Sequence, residues 1–270
     1  MTVTPQVLQV LLDGDLEVLG RIMPASNATY YTEAVGRVEG ADEVRVPCVY
    51  KPVAGERPLW DFPLGTLAAR EVAAYVVSEA LGGDVVPLTL LRDGPSGPGM
   101  VQLWCEPAPD IDAVDLCPEG EVPSGFRHVL DALDDHGRSV SLVHEDSVPL
   151  RRMAVFDVIV NNADRKGGHV LAMHDGHRYG VDHGVCFHEE NKLRTVLWGW
   201  ARERLHPDDR VAVAALAERL DEDESLHSLL CDLLTEAEVG ALRARCRRLL
   251  SRGRMPVPSG GWPSIPWPAF

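Results

Sequence analysis

The feature that most constrains this chain is a pair of aspartates, Asp164 and Asp182, which stand 18 residues apart. Asp164 lies in a polar turn after an apolar helical pattern, and Asp182 ends a short strand-like run before Gly184. Phosphoryl transfer needs such a pair, because one carboxylate orients the attacking hydroxyl and the other holds the magnesium that neutralises nucleotide phosphates. The sequence is therefore first interpreted as that of a kinase-like ATP enzyme.

Composition leaves room for this interpretation and excludes others. The chain has 270 residues, 45% of them hydrophobic, which is enough to bury one large core or two lobes. Its net charge of −15 argues against nucleic-acid partners, because 41 acidic residues outnumber 26 lysines and arginines. The same imbalance repels an anionic membrane surface.

The cellular setting is inferred from what the sequence lacks. Residues 1–12 have no cationic region followed by a long apolar run, and no stretch approaches the roughly 18 apolar residues of a membrane span. The six cysteines include no Cys-x-x-Cys pair. We expect reduced thiols in a cytoplasmic protein, with no stable membrane insertion, no disulfide framework and no zinc knuckle.

Periodicity predicts an amino-terminal lobe over residues 1–105. A short helix over residues 6–12 precedes strands over residues 16–23, 30–38, 44–53, 85–91 and 99–105. The clearest helix of this half covers residues 64–81 and ends at Gly82. It carries Glu71, 20 residues after Lys51 of the third strand, so a helix packed on the sheet would offer its carboxylate to the lysine.

The second half is predicted to be mainly helical, over residues 106–252, after an acidic, proline-containing connection that is interpreted as a hinge. Helical patterns cover residues 148–160, 208–220 and 235–251, the last beginning with a capping box, and one further helix is predicted near 126–135. Residues 253–270 form a Pro- and Trp-rich tail, either docked or disordered. The predicted fold class is α+β, with two kinase-like lobes.

Two segments, residues 156–165 and 181–187, resemble the catalytic and metal loops of a known family. They are similar to those of type II phosphatidylinositol 4-kinases and their bacterial PI3/PI4-kinase-like relatives, and more distantly to HipA-like kinases. Residues 70–75 match the regulatory helix of this group, and residues 50–52 match its phosphate-lysine strand. The resemblance covers residues 20 to 200 and implies a two-lobed protein-kinase-like fold, with an antiparallel N-lobe that contains one helix.

The resemblance also implies roles for individual residues. Asp164 would be the catalytic aspartate, and Lys166 would reach the transferring phosphate. Asp182 would bind the metal that bridges the phosphates. Lys51 would hold the α- and β-phosphates, with Glu71 orienting it. The implied cofactors are ATP and Mg²⁺ or Mn²⁺.

The remaining nucleotide contacts follow from the same resemblance. Ser26, Asn27 and Thr29 would lie over the phosphates, offering hydroxyls and backbone N–H groups where the more usual loop offers glycines. The adenine would rest against Leu103 and Trp104 at the hinge. One position departs from the family's pattern: His169 stands where a metal-binding asparagine is expected. This histidine is interpreted either as a metal ligand or as a substitution that weakens the second metal site.

Other interpretations of the same residues stay open. Asp157 and Arg165 are expected to have a structural role, either capping a loop or pairing with each other. The density of histidines favours, as a second hypothesis, a metal-dependent phosphohydrolase with Asp164, His169, Asp182 and His183 as ligands. A third is a pseudokinase, a nucleotide-binding scaffold without turnover.

The phosphate acceptor is the least determined part. A hydroxyl of a protein or small molecule fits, whereas the overall acidity disfavours a lipid head group, and nucleotidyl transfer stays open. One exception to the acidity is a basic run near the end of the chain. Its arginines are either a solvated helix face or a contact for an anionic partner; they are Arg243, Arg245, Arg247, Arg248, Arg252 and Arg254.

Overall fold

The amino-terminal half is built on a five-stranded antiparallel sheet in a computed structural model that describes residues 3–23, 25–38, 43–260 and 263–270. Helix α1 (Pro5–Asp13), capped by the Thr4 side chain, precedes the sheet. The strands are β1 (Asp15–Arg21), β2 (Tyr30–Arg37), β3 (Glu43–Pro52), β4 (Thr89–Gly94) and β5 (Gly97–Leu103). Their order across the sheet is β1-β2-β3-β5-β4.

The two faces of this sheet have different partners, because successive side chains of a strand point to opposite sides. Cys48 and Tyr50 of β3 pack with Leu11 of α1 in one buried cluster. Lys51 lies on the other face, opposite Met100 of β5. Helix α2 (Leu67–Leu81) covers that second face, where its residues Ala68 and Val72 pack against Met100.

The helices of the second half surround the largest buried cluster. They are α3 (Val148–Val160), α4 (Pro207–Glu222), α5 (Glu224–Leu233) and α6 (Glu236–Arg252). Three of them confirm the predicted helices, and the capping box between Thr235 and Glu238 is formed as the sequence indicates. Helix α5 was not predicted; it begins after Asp223, whose carboxylate accepts the N–H groups of Ser225 and Leu226.

The predicted helix near residues 126–135 is wrong. These residues form β7 (Phe126–Leu133) in a three-stranded antiparallel sheet with β6 (Val114–Pro118) and β8 (Ser139–Glu145), in the order β6-β8-β7. Glycines at positive φ bound the strand, Gly125 at 82° and Gly137 at 73°, a conformation that favours turns over a continuing helix. Pairing with the buried strand β8 decided the outcome.

Two smaller corrections concern strand limits and the tail. The strand predicted over residues 85–91 starts at Thr89, because the N–H groups of Val85 and Val86 are bonded to the Ser78 hydroxyl. The carboxyl-terminal segment is docked where the structure describes it: Gly167 donates its N–H to Ala269, and Trp198 donates its ring N–H to the Ser264 carbonyl. Pro24 and Trp262 lie outside the described residues.

A short hairpin, β9 (Val170–Ala172) and β10 (Arg178–Gly180), connects the turn at Asp164 to Asp182. No described helix is both long and apolar enough to cross a bilayer. The lobe boundaries near residues 105 and 252 stay a prediction.

Candidate active site

A cleft of about 350 Å³ opens beside β3, α2 and the turn at Asp164. Both aspartates of the sequence motif line it, together with the lysine and glutamate predicted to face each other. Its polar lining includes Ser26, Asn27, Lys51, Arg57, Glu71, Asp164 and Asp182. The fold therefore brings together residues that are up to 156 positions apart in the chain.

Lys51 contacts two of the carboxylates that line this cleft. Its ammonium donates to Glu71 Oε1 at 2.7 Å and to Asp182 Oδ1 at 2.8 Å. Burial alone would lower the pKa of Lys51, but the two carboxylates outweigh it and raise the pKa above its usual range. Lys51 is therefore a fixed positive charge at neutral pH.

Glu71 is held from two sides. Its side chain is 2% exposed, and its second oxygen, Oε2, accepts the backbone N–H of His183 at 2.8 Å. Asp182, the neighbour of His183, adopts a positive φ of 61°, which is uncommon for a residue with a Cβ. The Lys51 ammonium lowers the pKa of Asp182, so this carboxylate stays ionised.

Asp164 lines the same cleft. Its backbone N–H donates to Asn162 Oδ1 at 3.0 Å, which fixes the turn. Two cations face its carboxylate: Lys166 Nζ at 3.6 Å and Arg194 Nη2 at 3.8 Å. Burial raises the pKa of Asp164 against the pull of these cations and His169. A partly buried carboxylate with a raised pKa is typical of a general base.

A buried ion pair shapes this turn, as the structural interpretation of Asp157 and Arg165 predicted. Arg165 Nη2 lies 3.0 Å from Asp157 Oδ1, and both side chains are 0% exposed. The same guanidinium donates to the carbonyls of His169 and Val181 at 3.0 and 3.1 Å. Arg165 therefore ties the turn of Asp164 to the chain that leads into Asp182.

His169 lies between the two aspartates. Its Nδ1 is 3.0 Å from the carbonyl oxygen of Asp164, an atom that can only accept, so Nδ1 carries the proton. The lone pair of Nε2 then lies 3.4 Å from Asp182 Oδ2. Burial lowers the pKa of His169, which keeps the imidazole neutral.

This geometry fits a shared divalent cation. Two ligand atoms bound at about 2.0–2.2 Å on one metal lie roughly 3–3.4 Å apart. A histidine whose other nitrogen donates to a carbonyl is the usual form of a metal-binding imidazole. Asp182 and His169 could therefore hold a metal ion together, as the sequence predicted for each.

Two of the three residues predicted to cover the phosphates line the cleft. They are Ser26 and Asn27, and the Asn27 side-chain oxygen accepts the backbone N–H of Arg57 at 2.8 Å. Thr29 does not line it. It is 7% exposed, and its hydroxyl donates to the Asn27 carbonyl at 3.4 Å, so its role is to shape the loop.

The predicted adenine contacts divide in the same way. Leu103 pairs with Cys48, three residues from Lys51, and so lies on the opposite face of the sheet, in the cluster with α1. It cannot contact a nucleotide in this cleft. Trp104 follows the strand end and packs edge-on against Tyr31, with ring centroids 4.9 Å apart. Tyr31 pairs with Val49, which shares the Lys51 face, so Trp104 lies on the side where an adenine would bind.

Two further cations, Arg57 and Arg194, were not predicted from the sequence. Arg57 lines the cleft from the irregular segment between β3 and α2. Arg194 reaches Asp164 because its carbonyl accepts the N–H of Arg165, next to an isolated bridge between Arg165 and Thr195. Neither contact follows from local spacing.

The ligand set of the phosphohydrolase hypothesis is not assembled. His183 is fully buried, and its Nε2 faces Arg165 Nη2 at 2.6 Å, away from any shared metal position. Within the described part of the chain, the one group of three potential metal ligands is His227, Cys231 and Glu236, none of which lines the cleft.

A five-stranded sheet, a lysine paired with a glutamate of the covering helix, and two aspartates across a cleft define a protein-kinase-like fold. Searches against family models find no match. Protein Rv2133c of Mycobacterium tuberculosis is 52% identical over 279 residues, which cover 100% of this chain and 98% of that protein. The chain therefore belongs to the family of Rv2133c.

Two solved structures are similar to this chain. The chain is similar to hydra Fam20, solved with sugar, with a TM-score of 0.51 and 13% identity over 91% of this chain and 86% of that one. Another similar structure is the Helicobacter pylori proinflammatory kinase CtkA, with a TM-score of 0.47 and 12% identity over 90% and 97% of the two chains. The similarity to hydra Fam20 confirms the predicted two-lobed, kinase-like α+β fold.

Proposed function

We propose that this protein is an ATP-dependent phosphotransferase that acts on a hydroxyl of a protein or small molecule. The observation that carries the proposal is the double contact of Lys51 with Glu71 and Asp182, at 2.7 and 2.8 Å. Lys51 in this position can bind nucleotide phosphates, and a partly buried Asp164 lies in the same cleft. These are the groups that phosphoryl transfer requires.

Each side chain has a distinct task in this proposal. Lys51 binds the α- and β-phosphates, and Glu71 fixes its position. Asp182 and His169 would hold Mg²⁺ or Mn²⁺, which would supply positive charge against the phosphates when bound. Asp164 accepts the hydrogen bond of the attacking hydroxyl and receives its proton. Lys166, 3.6 Å from Asp164, binds the group in transfer.

The remaining contacts to the nucleotide come from three segments of the amino-terminal half. Ser26 and Asn27 cover the phosphates, and Arg57 adds a cation beside them. Trp104 forms the adenine contact without Leu103. The two loops that resemble the PI3/PI4-kinase-like family support this assignment of ATP and metal, but a lipid acceptor is disfavoured by the net charge of −15. The sugar in the hydra Fam20 structure makes polyol hydroxyls worth including among candidate acceptors.

The first experiment measures nucleotide binding. Mg-ATP at a free concentration about 100 times its dissociation constant stabilises the folded state by roughly 2.7 kcal/mol, which raises the melting temperature. Lys51→Ala should lose this shift. A melting temperature that millimolar Mg-ATP leaves unchanged would contradict the proposal.

The second experiment measures turnover. Radiolabelled γ-phosphate transfer to water, to the protein itself and to a panel of hydroxyl compounds should depend on Asp164. Asp164→Asn should remove transfer, whereas Asp208→Asn, at an exposed position of α4, should keep it. Nucleotide binding without any transfer in the unmodified protein would support the pseudokinase hypothesis.

A further inference from the structure

A second pocket of about 320 Å³ lies along one face of α6 and the segment that follows it. Four arginines line it: Arg245, Arg248, Arg252 and Arg254. We call it the arginine pocket. The first three recur at i, i+3 and i+7, so they share one face of the helix.

The charge of the arginine pocket is unbalanced. No acidic residue is among its described lining residues, although the chain has 41 acidic residues and a net charge of −15. Across the part of the chain that the structure describes, no ion pair involves any of its four arginines. Four arginines without carboxylate partners among the described residues create a positive potential around the pocket. This potential favours the binding of an anion.

Arginines on another face of the same helix provide an internal comparison. Arg247 Nη2 lies 2.8 Å from Asp221 Oδ2, and Arg243 Nε lies 3.9 Å from Asp221 Oδ1. Helix α6 therefore has carboxylate partners where its arginines face α4. The lack of partners is confined to the pocket face and is not a general property of the basic run.

Arg245 is the most deeply buried arginine of the pocket. It is 6% exposed, and two of its nitrogens donate to the carbonyls of Ile159 and His188, at 2.7 and 3.2 Å. Its third nitrogen, Nη2, has no acceptor among the described residues. Burial lowers the pKa of Arg245 to about 10, with Arg248 adding repulsion. A buried, incompletely bonded guanidinium is costly unless an anion compensates it.

Apart from Asn191 and Ser259, the remaining wall of the pocket is apolar. Val158 of α3, Leu193, Trp198 and Leu249 contribute to it. Guanidinium groups bind phosphate oxygens through paired hydrogen bonds, and an aromatic or aliphatic wall favours a ligand with an apolar part. The volume falls in the range of small-molecule pockets.

We propose that the arginine pocket binds the phosphate group of a small phosphorylated molecule whose remaining part is apolar or aromatic. The pocket shares no lining residue with the cleft of Lys51 and Asp164. The site is therefore separate from the one proposed for ATP, and its test does not require catalysis.

Binding is tested by titration calorimetry with inorganic phosphate and phenyl phosphate in a buffer free of phosphate and sulfate. Phenyl phosphate should bind more tightly than inorganic phosphate. Arg248→Ala with Arg252→Ala should weaken phenyl phosphate binding at least tenfold, since both guanidinium groups would donate hydrogen bonds to the charged phosphate. Arg243→Ala with Arg247→Ala removes the same charge from the same helix and should change binding less than threefold.

Several results would overturn the proposal. Equal weakening by both double variants would mean that phosphate responds to the general field of the helix. Binding that is lost in Lys51→Ala would place the phosphate in the active-site cleft. No heat with either probe at millimolar concentration from the unmodified protein would show that no site exists. The double variants are compared only where their melting temperatures are unchanged. A short phosphotyrosine peptide that binds tenfold more tightly than phenyl phosphate would replace the small molecule with a protein ligand.

Discussion

Arg70 of α2 and Glu238 of α6 form a buried ion pair, with 2.5 Å between Nη2 and Oε1 and side-chain exposures of 2% and 9%. Arg70 also donates to the carbonyl of Cys186 at 2.8 Å. Glu71, the next residue along α2, contacts Lys51. The pair therefore ties α2, the helix that carries Glu71, to α6. The same Glu238 also belongs to the capping box of α6.

Arg70→Met should destabilise the protein by about 3–5 kcal/mol, because it leaves Glu238 as an uncompensated buried charge. Chemical unfolding gives the free energy. Adding Glu238→Gln should recover part of the loss by removing that charge. As a control, Arg138→Ala breaks an ion pair whose arginine is 74% exposed and should cost less than about 1 kcal/mol. Strictly additive losses for Arg70→Met and Glu238→Gln would contradict the coupling.

Asp182→Asn should abolish metal-dependent ATP binding, whereas Asp164→Asn should leave binding intact. Asp182 contacts Lys51, and in the proposed function it would hold the metal, whereas Asp164 would act only on the acceptor hydroxyl. Calorimetry with and without Mg²⁺ distinguishes the two effects. Equal loss of binding in both variants would show that this division of roles is wrong.

His169→Asn should reduce the preference for Mn²⁺ over Mg²⁺ in ATP hydrolysis. The Nε2 atom of His169, 3.4 Å from Asp182 Oδ2, would be a nitrogen ligand in the proposed site, and an asparagine offers a hard oxygen that suits Mg²⁺ better. The ratio of the hydrolysis rate with Mn²⁺ to the rate with Mg²⁺ should fall by about tenfold. An unchanged ratio would mean that His169 is not a ligand.

His144 should make stability depend on pH between about 6.5 and 4. Burial lowers the pKa of this histidine to about 4, and its Nε2 accepts the backbone N–H of Gly199 at 3.0 Å. The unfolded chain then binds more protons over this window, so the free energy of unfolding falls as pH is lowered, by up to about 3 kcal/mol in total. Denaturant titrations at several pH values measure the slope.

His144→Gln removes the titrating group but keeps an acceptor for Gly199. Between pH 6.5 and 4, its free energy of unfolding should change less with pH than that of the unmodified protein. The difference in slope should be about 1.4 kcal/mol per pH unit at most. Parallel curves for the two proteins would contradict the assignment.

Local signals in the sequence determined the strongest helices and the two acidic motifs. The limits of α3 and the capping box of α6 follow from side chains within four residues of each other. The spacing of Lys51 and Glu71 also predicted their contact, because a strand followed by a covering helix leaves few alternatives. Asp164 and Asp182 were also identified from local signals, because each stands in a short polar turn after a regular element.

Only the tertiary structure decided the features that depend on distant partners. Residues 126–133 form a strand because β8 pairs with them, and Leu103 faces α1 because β3 and β5 fix its register. Arg194 reaches Asp164 through the chain pairing at Arg165. The arginines of α6 are divided into paired and unpaired sets by the position of Asp221. Sequence patterns encode periods and caps within a few residues, whereas side-chain partners over longer separations are set by how the elements pack.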